Sequence, residues 1–225
     1  EHVRIVSFSD SLTSFNNVFY QMYCLRSIEV DRSTSNVTSW SSTFHSCFSL
    51  EEIPELDFSA AQAFNSTFHS CTKLIKLPNS LSNAVPTSLN TAFFNCVLLR
   101  KIPMMDTSNC TNFKQVFMYC RSLSFAPHFD TSSGTDFYRM FFGCRSLEEI
   151  PKNLDTSSTD QNDSNPMYQM FYDCFKIQTI PKLTNVIGDI RGMFTNCSNL
   201  KRIPAIDFSN ATNTHAMFQS CMSLQ

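Results

Sequence analysis

The chain has 225 residues, 42% of them apolar and 22 of them Phe, which excludes an intrinsically disordered chain. A net charge of −2, with only 16% of residues charged, argues against a nucleic-acid or anionic-membrane partner. No run of 18 apolar residues is present, so no transmembrane helix and no direct membrane insertion is expected, and the opening EHVRIVSFSD lacks the basic and apolar regions of a signal peptide.

In chain order, the first element is the frame Phe15, Phe19, Met22, Leu25. Its offsets of 0, 4, 7 and 10 place four apolar groups on one helical face. The frame returns as Trp40, Phe44, Cys47, Leu50, then as Phe64, Phe68, Cys71, Leu74, and as Leu89, Phe93, Cys96, Leu99. It continues through Phe113, Phe117, Cys120, Leu123 and Phe137, Phe141, Cys144, Leu147. Met167, Phe171, Cys174, Ile177 and Ile190, Phe194, Cys197, Leu200 follow, and a last copy stops after Leu224. Successive cysteines from Cys47 to Cys221 are 24, 25, 24, 24, 30, 23 and 24 residues apart. Such a period marks a solenoid, here of about nine repeats of ~24 residues.

Each helical stretch is expected to end near its Cys. Ile53, Leu77, Ile102, Ile150, Ile180 and Ile203 then precede Pro, as does Ala126. Proline has no N–H and fits a central strand poorly, so a strand of three or four residues is expected there. Asp57, Asp106, Asp130, Asp155 and Asp207 come next, each with Ser two places on, the chemistry of a turn or helix cap. The predicted fold is α/β: short parallel strands on one face of the solenoid and short helices on the other. The surplus segment DQNDSNP at 160–166 is predicted to bulge as a loop, and no linker-like stretch interrupts the rest. Residues 1–225 are therefore expected to form one continuous array. The start without Met and the stop inside CMSLQ read as part of a longer chain.

Eight of the ten cysteines share one position in the repeat. Neighbours would lie about 4.8 Å apart, within disulfide reach, yet their side chains should run parallel into the core. A buried thiol ladder is expected, with Cys as a small hydrophobe. Cys24 and Cys110 stand outside it, and are the two positions at which a thiol reagent could reach the native protein.

The segments MFFGCRSLEEIPKNLDTS (140–157) and MFTNCSNLKRIPAIDFS (193–209) resemble the BspA-like class of leucine-rich repeats. The resemblance extends over 15–225 and departs from the class in the Pro after the strand, the heavy use of Phe and the scarcity of Gly. It implies a leucine-rich-repeat-like solenoid and a non-enzymatic surface recognition or adhesion module. Such a module would be extracellular or on a cell surface, with no catalytic residues and no cofactor.

Two stripes are candidate partner surfaces. The strand stripe carries Arg100, Lys101, Phe125, Glu148 and Glu149 within a run of mixed charge. That mixture suits a protein or glycan partner, and equally suits a ladder that only keeps itself stable and soluble. The helical stripe reads Tyr20, His45, His69, Phe94, Met118, Phe142, Tyr172, Thr195, Gln219, with a run of four large apolar groups in its middle. Exposed, it would pack the chain into a larger assembly, a virion or a cell-surface layer; half-buried, it would be structural.

Other chemistry finds little support. His45 and His69 lie two before Cys47 and Cys71, but an inward Cys and an outward His disfavour one zinc ion. The Asp column lacks the Gly-rich turns of calcium-binding solenoids. Glu51-Glu52 and Glu148-Glu149 are four repeats apart, roughly 19 Å, too far for paired acid–base work. Sequons occur at Asn36, Asn65, Asn109, Asn162, Asn196 and Asn210, and Asn109 and Asn196 are not both expected to be accessible.

Overall fold

A computed structural model describes residues 2–5 and 8–225; Glu1, Val6 and Ser7 of the opening segment lie outside the described residues. Each Phe-to-Cys segment follows one backbone rule. In the first copy Phe15, Asn17, Phe19 and Gln21 donate their N–H groups to the carbonyls of Ser39, Ser41, Thr43 and His45, one coil further on, at 2.8–3.2 Å. Between them Val18, Tyr20 and Met22 donate back three residues, to Phe15, Asn17 and Phe19. Asn17 and Gln21 have φ of 60° and 59°. A bend closed by an i→i+3 bond, with positive φ at its third residue, has the signature of a type II turn.

Two such turns in tandem occupy the segment read as a helix. The positive-φ pair recurs as Ser42 and Ser46, Ser66 and Ser70, Thr91 and Asn95, and onward to Gly192 and Asn196. The expected short helices are therefore replaced by paired turns; among the described residues the one helical element is a 3-10 turn at Asn79–Asn83. The physical reason is hydrogen bonding. Alternate N–H groups are claimed by the next coil, which leaves no continuous i→i−4 series. Offsets 0, 4 and 7 still point inward, so the core residues occupy the predicted columns.

The coils are joined by two sets of parallel pairing. β1 (His2–Ile5) pairs with β2 (Ser27–Val30), His2 opposite Ser27. The single bridges Phe125↔Glu149 and Thr179↔Arg202 occupy the same place in later coils. This is the expected strand stripe, and Pro explains its thinness. The first copy reads SIEV with no Pro and forms four residues of strand, whereas copies ending in Ile-Pro or Ala-Pro shrink to a bridge or less. The second set precedes the paired turns: Ser14, Ser39, Ala63, Ser88, Asn112 and Asp136 bridge in series. It widens into β3 (Ile187–Asp189) against β4 (Asn210–Asn213).

Inside, the Phe column is stacked ring on ring. Centroids of Phe19, Phe44, Phe68, Phe93, Phe117, Phe141, Phe171, Phe194 and Phe218 follow one another at 5.2–6.1 Å. Each column thiol donates to the carbonyl of the Phe one coil earlier, from Cys47 Sγ to Phe19 O (3.1 Å) through Cys221 Sγ to Phe194 O (3.0 Å). Burial pushes the thiols of Cys47 and Cys120 up to about 12 and raises those between Cys144 and Cys197 as well. Cys110 lies outside the column yet is buried too, its thiol also raised to about 12, so it is not the accessible site expected of it. Cys24 is exposed. A maleimide is thus expected to label Cys24 quickly and Cys47–Cys197 only on unfolding, because the thiolate is the reactive form. Rapid native labelling of most thiols, counted by intact mass, would contradict the ladder.

The Asp turns cap as expected, through side chains. Ser59, Ser108, Ser132, Ser157 and Ser209 donate N–H to Oδ1 of the Asp two before them at 2.8–3.1 Å. Hydrogen bonds from the same Ser residues, the side-chain bond leading at Asp57, Asp106 and Asp130 and the backbone N–H at Asp207, hold these four carboxyls below their ordinary range. Beneath them the buried hydroxyls of Thr34, Thr107 and Thr131 donate to the carbonyls of Asp57, Asp130 and Asp155 in the next coil.

Candidate recognition surface

The strand stripe faces solvent. Arg100, Lys101, Phe125, Glu148 and Glu149 are all exposed, Phe125 by 54%. Four of them line two separate clefts. Phe125 sits beside Glu149 in a cleft of ≈ 490 Å³ floored by Ile150, Pro151 and Ile180. Arg100 and Lys101 rim another of ≈ 400 Å³ with Ile75, Lys76, Leu77 and Ile102. Among the described residues Lys76, Arg100 and Lys101 form no ion pair, whereas Glu148 is held by Lys176 at 3.2 Å.

The second stripe is a ring ladder, exposed at Tyr20 and half-buried from His45 on. Tyr20, His45, His69 and Phe94 stack at 4.3–4.8 Å. Met118 breaks the series: it is 5% exposed, so its place in an exposed apolar stripe is corrected. Tyr119 fills the surface position instead, edge-on to Phe94 (5.9 Å) and Phe142 (5.4 Å), and Phe142 stacks on Tyr172 at 4.6 Å. Tyr119 fits because the next coil has Gly143 opposite, where an added Cβ would lie 2.7 Å from Tyr119 Cδ1. Phe94, Phe142 and Tyr172 therefore present ring edges more than faces. His69 Nδ1 is buried without a hydrogen-bond partner, and burial, with His45 beside it, pushes the ring down to about 4.

His45 and Cys47 part company as expected, since Cys47 Sγ donates inward to Phe19 O while the His45 ring stacks in the outer column. Among the described residues no cluster of three His, Cys, Asp or Glu side chains is placed to hold a metal. No helix among them is long and apolar enough to cross a membrane. Asn36, Asn65, Asn109, Asn162 and Asn210 are exposed; Asn196 is half-buried and donates to Asp173 Oδ1 at 2.7 Å.

One group escaped the sequence reading. The position after the first core residue is small and polar in early coils, as Asn16, Ser41, Asn65 and Asn90. It then becomes Lys114, Tyr138, Tyr168 and Arg191, which stack in that order. The change of residue type along that column was the available signal.

Stacked coils, parallel pairing and a continuous internal Phe–Cys spine define a leucine-rich-repeat type of solenoid. The family profile described as "BspA type Leucine rich repeat region" matches residues 2–124 in six copies. The chain belongs to the BspA-type leucine-rich repeat family. A second profile, "Mycoplasma protein of unknown function, DUF285", matches residues 87–186 and 165–225. Among solved structures, a T. pallidum leucine-rich repeat protein is 17% identical, with a TM-score of 0.48 over 88% of this chain and 71% of its own. A leucine-rich cell surface protein from Faecalibacterium prausnitzii A2-165 is 17% identical, with a TM-score of 0.49 over 100% and 74%. A leucine-rich repeat protein from Bacteroides ovatus ATCC 8483 is 18% identical, with a TM-score of 0.41 over 99% and 73%. No curated protein matches the chain.

Proposed function

We propose that the chain is a non-enzymatic recognition module of a cell surface, a continuous array of about nine coils that engages a protein partner through its strand stripe. The observation that carries this is the pairing of unneutralised cations with exposed apolar groups. Lys76, Arg100 and Lys101 rim an apolar cleft, and Phe125 stands out of the adjoining coil. Arginine and aromatic anchors around a desolvatable centre are the usual energetic core of a protein interface. Family membership supports a binding role and a surface location.

The test is a binding screen of the immobilised chain against purified surface and matrix proteins by biolayer interferometry. A genuine partner is expected to lose at least about tenfold in affinity with Arg100→Glu/Lys101→Glu and with Phe125→Ala, at unchanged thermal unfolding. Full retention of affinity in both variants would rule out the strand stripe as the contact.

A further inference from the structure

Two irregularities of the array meet at one place. The 30-residue spacing from Cys144 to Cys174 inserts residues 160–166, and the Lys114–Tyr138–Tyr168–Arg191 column runs beside that insertion. Asn165 of the insertion joins Tyr138, Arg139, Tyr168 and Arg191 around a cleft of ≈ 220 Å³.

The chemistry of this cleft is specific. The two Tyr rings lie 5.6 Å apart at 12°, with Lys114 4.8 Å from the Tyr138 centroid and Arg191 5.5 Å from that of Tyr168. Their faces are thus taken, and a flat aromatic ligand has nowhere to stack. What remains are ring edges, phenol hydroxyls, the Asn165 amide and the Arg139 fork. Lys114 is matched by Asp136 (3.9 Å) and Arg191 by Asp189 (2.7 Å). Arg139 forms no ion pair among the described residues. Its Nε donates to Gln169 Oε1 at 3.0 Å, and its guanidinium lies 5.1–5.3 Å from the rings of Tyr138, Phe142 and Tyr168. The rings steer the guanidinium, and its terminal nitrogens remain for an outside acceptor. A guanidinium held in this way is suited to bidentate recognition of a carboxylate or sulfate.

Ser164, whose carbonyl accepts the Asp189 N–H at 2.8 Å, lines a second cleft, of ≈ 450 Å³. Gln161, Asn162, Asp163, Ile187, Asn210 and Thr212 line it, with no cation. The loop can rest there because residue 188 is Gly: a Cβ would come within 2.7 Å of Ser164 O. Amides, hydroxyls and the Asp163 carboxylate around one aliphatic floor suit the hydroxyl groups of a neutral sugar, and the carboxylate disfavours an acidic one there.

From this arrangement we propose that the 160–166 insertion builds a binding site for an acidic oligosaccharide, with the acidic group on Arg139 and a neutral neighbouring sugar in the Asn162–Asn210 cleft. The charge balance favours a saccharide over a nucleic acid. Asp136 and Asp189 pair with Lys114 and Arg191, so among these three cations Arg139 alone is left without an ion-pair partner. A polymer bearing a single charge per disaccharide fits that pattern better than a phosphate at every residue. This site is separate from the strand stripe and stands whether or not that stripe binds a protein.

The test is isothermal titration of the whole chain with size-matched oligosaccharides: a hyaluronan hexasaccharide (uronate), a keratan sulfate hexasaccharide (sulfate ester) and cellohexaose (neutral). At least one acidic arm is expected to bind with Kd of about 1 mM or tighter, and the neutral one about tenfold more weakly. Arg139→Gln is expected to weaken the acidic arm about tenfold, as is Asn210→Asp, an exposed position that adds a second carboxylate beside Asp163 in the sugar cleft and leaves the core untouched. Arg100→Glu should have no effect, which keeps failure of the strand-stripe proposal distinguishable. The proposal is overturned by no acidic binding, by equal neutral binding, by indifference to both cleft variants, or by a DNA duplex that binds more tightly than either acidic arm.

Discussion

Phe117→Ala is expected to remove about 3–5 kcal/mol and to split the unfolding of the array into two transitions. Phe117 is fully buried, with ring centroids 6.1 Å from Phe93, 6.0 Å from Phe129 and 5.5 Å from Phe141. Its carbonyl also accepts the thiol of Cys144 at 3.0 Å. Truncation leaves a void that neighbouring rings cannot fill, because each is already held by its own coil. A solenoid has no distant contacts to compensate: cohesion is the sum of coil stabilities and nearest-neighbour interfaces. A cavity at this mid-array position weakens both interfaces of its coil, so the two flanking stretches should melt independently. Urea unfolding followed by circular dichroism reads this directly. A single transition displaced by less than about 1 kcal/mol would mean that the Phe column is not the principal bond between coils.

Acidification should weaken the fold in two separate windows, the first through His69. In the folded chain burial holds this ring at about 4, against an ordinary 6.5. Between those values the unfolded chain takes up the proton and the folded chain does not, so stability falls as pH drops from about 6.5 towards 4 and levels off below. Linkage arithmetic on that difference gives about 3 kcal/mol, which access of water to the half-buried ring reduces to about 1–2 kcal/mol. His45, also lowered, adds to the same slope. His69→Phe should flatten most of the slope, because a ring already stacks well on His45 and Phe94 and the stranded Nδ1 disappears. The second window lies lower. Asp57, Asp106, Asp130 and Asp207 are held below their ordinary 3.8 by Ser bonds, so their support is present above that value and is lost as pH falls through their depressed range. Thermal melts from pH 7 to 3 on both proteins separate the windows; identical slopes between pH 6.5 and 4 would clear His69 of any part in the loss.

The inward residues were the legible part of the fold. Phe44, Cys47 and Leu50 recur because equivalent places in stacked coils impose equivalent volumes, and a period survives in text. Helix and paired turns were not separable on those residues, since both bring offsets 0, 4 and 7 to one side. The distinguishing information sat on residues outside the frame. Gly143 and Gly192 share two columns with Asn17, Ser46, Ser66 and Asn196, all positions with positive φ, where Gly and short polar side chains carry the least strain. Pro forecast the short strand, but the full pairing of β2 depended on its absence from a single copy. On the surface, Arg100, Lys101, Phe125 and Glu149 stood out because charges of both signs are mixed along their stripe. Arg139 did not, because its meaning depends on three rings from two coils and on a loop that breaks the period.

The alternation of hydrogen bonds gives the stack a direction. Along the paired turns every cross-coil N–H points forward, as from Phe15 to Ser39 and from Phe194 to Met217, while beside Leu the donors point back, as from Glu51 to Arg26. The two ends of any such pile are therefore chemically different faces, one complementary to the other and neither to itself. Duplication of a coil within the gene can lengthen the pile indefinitely without a new kind of contact, whereas two piles meeting by like ends would set donor against donor.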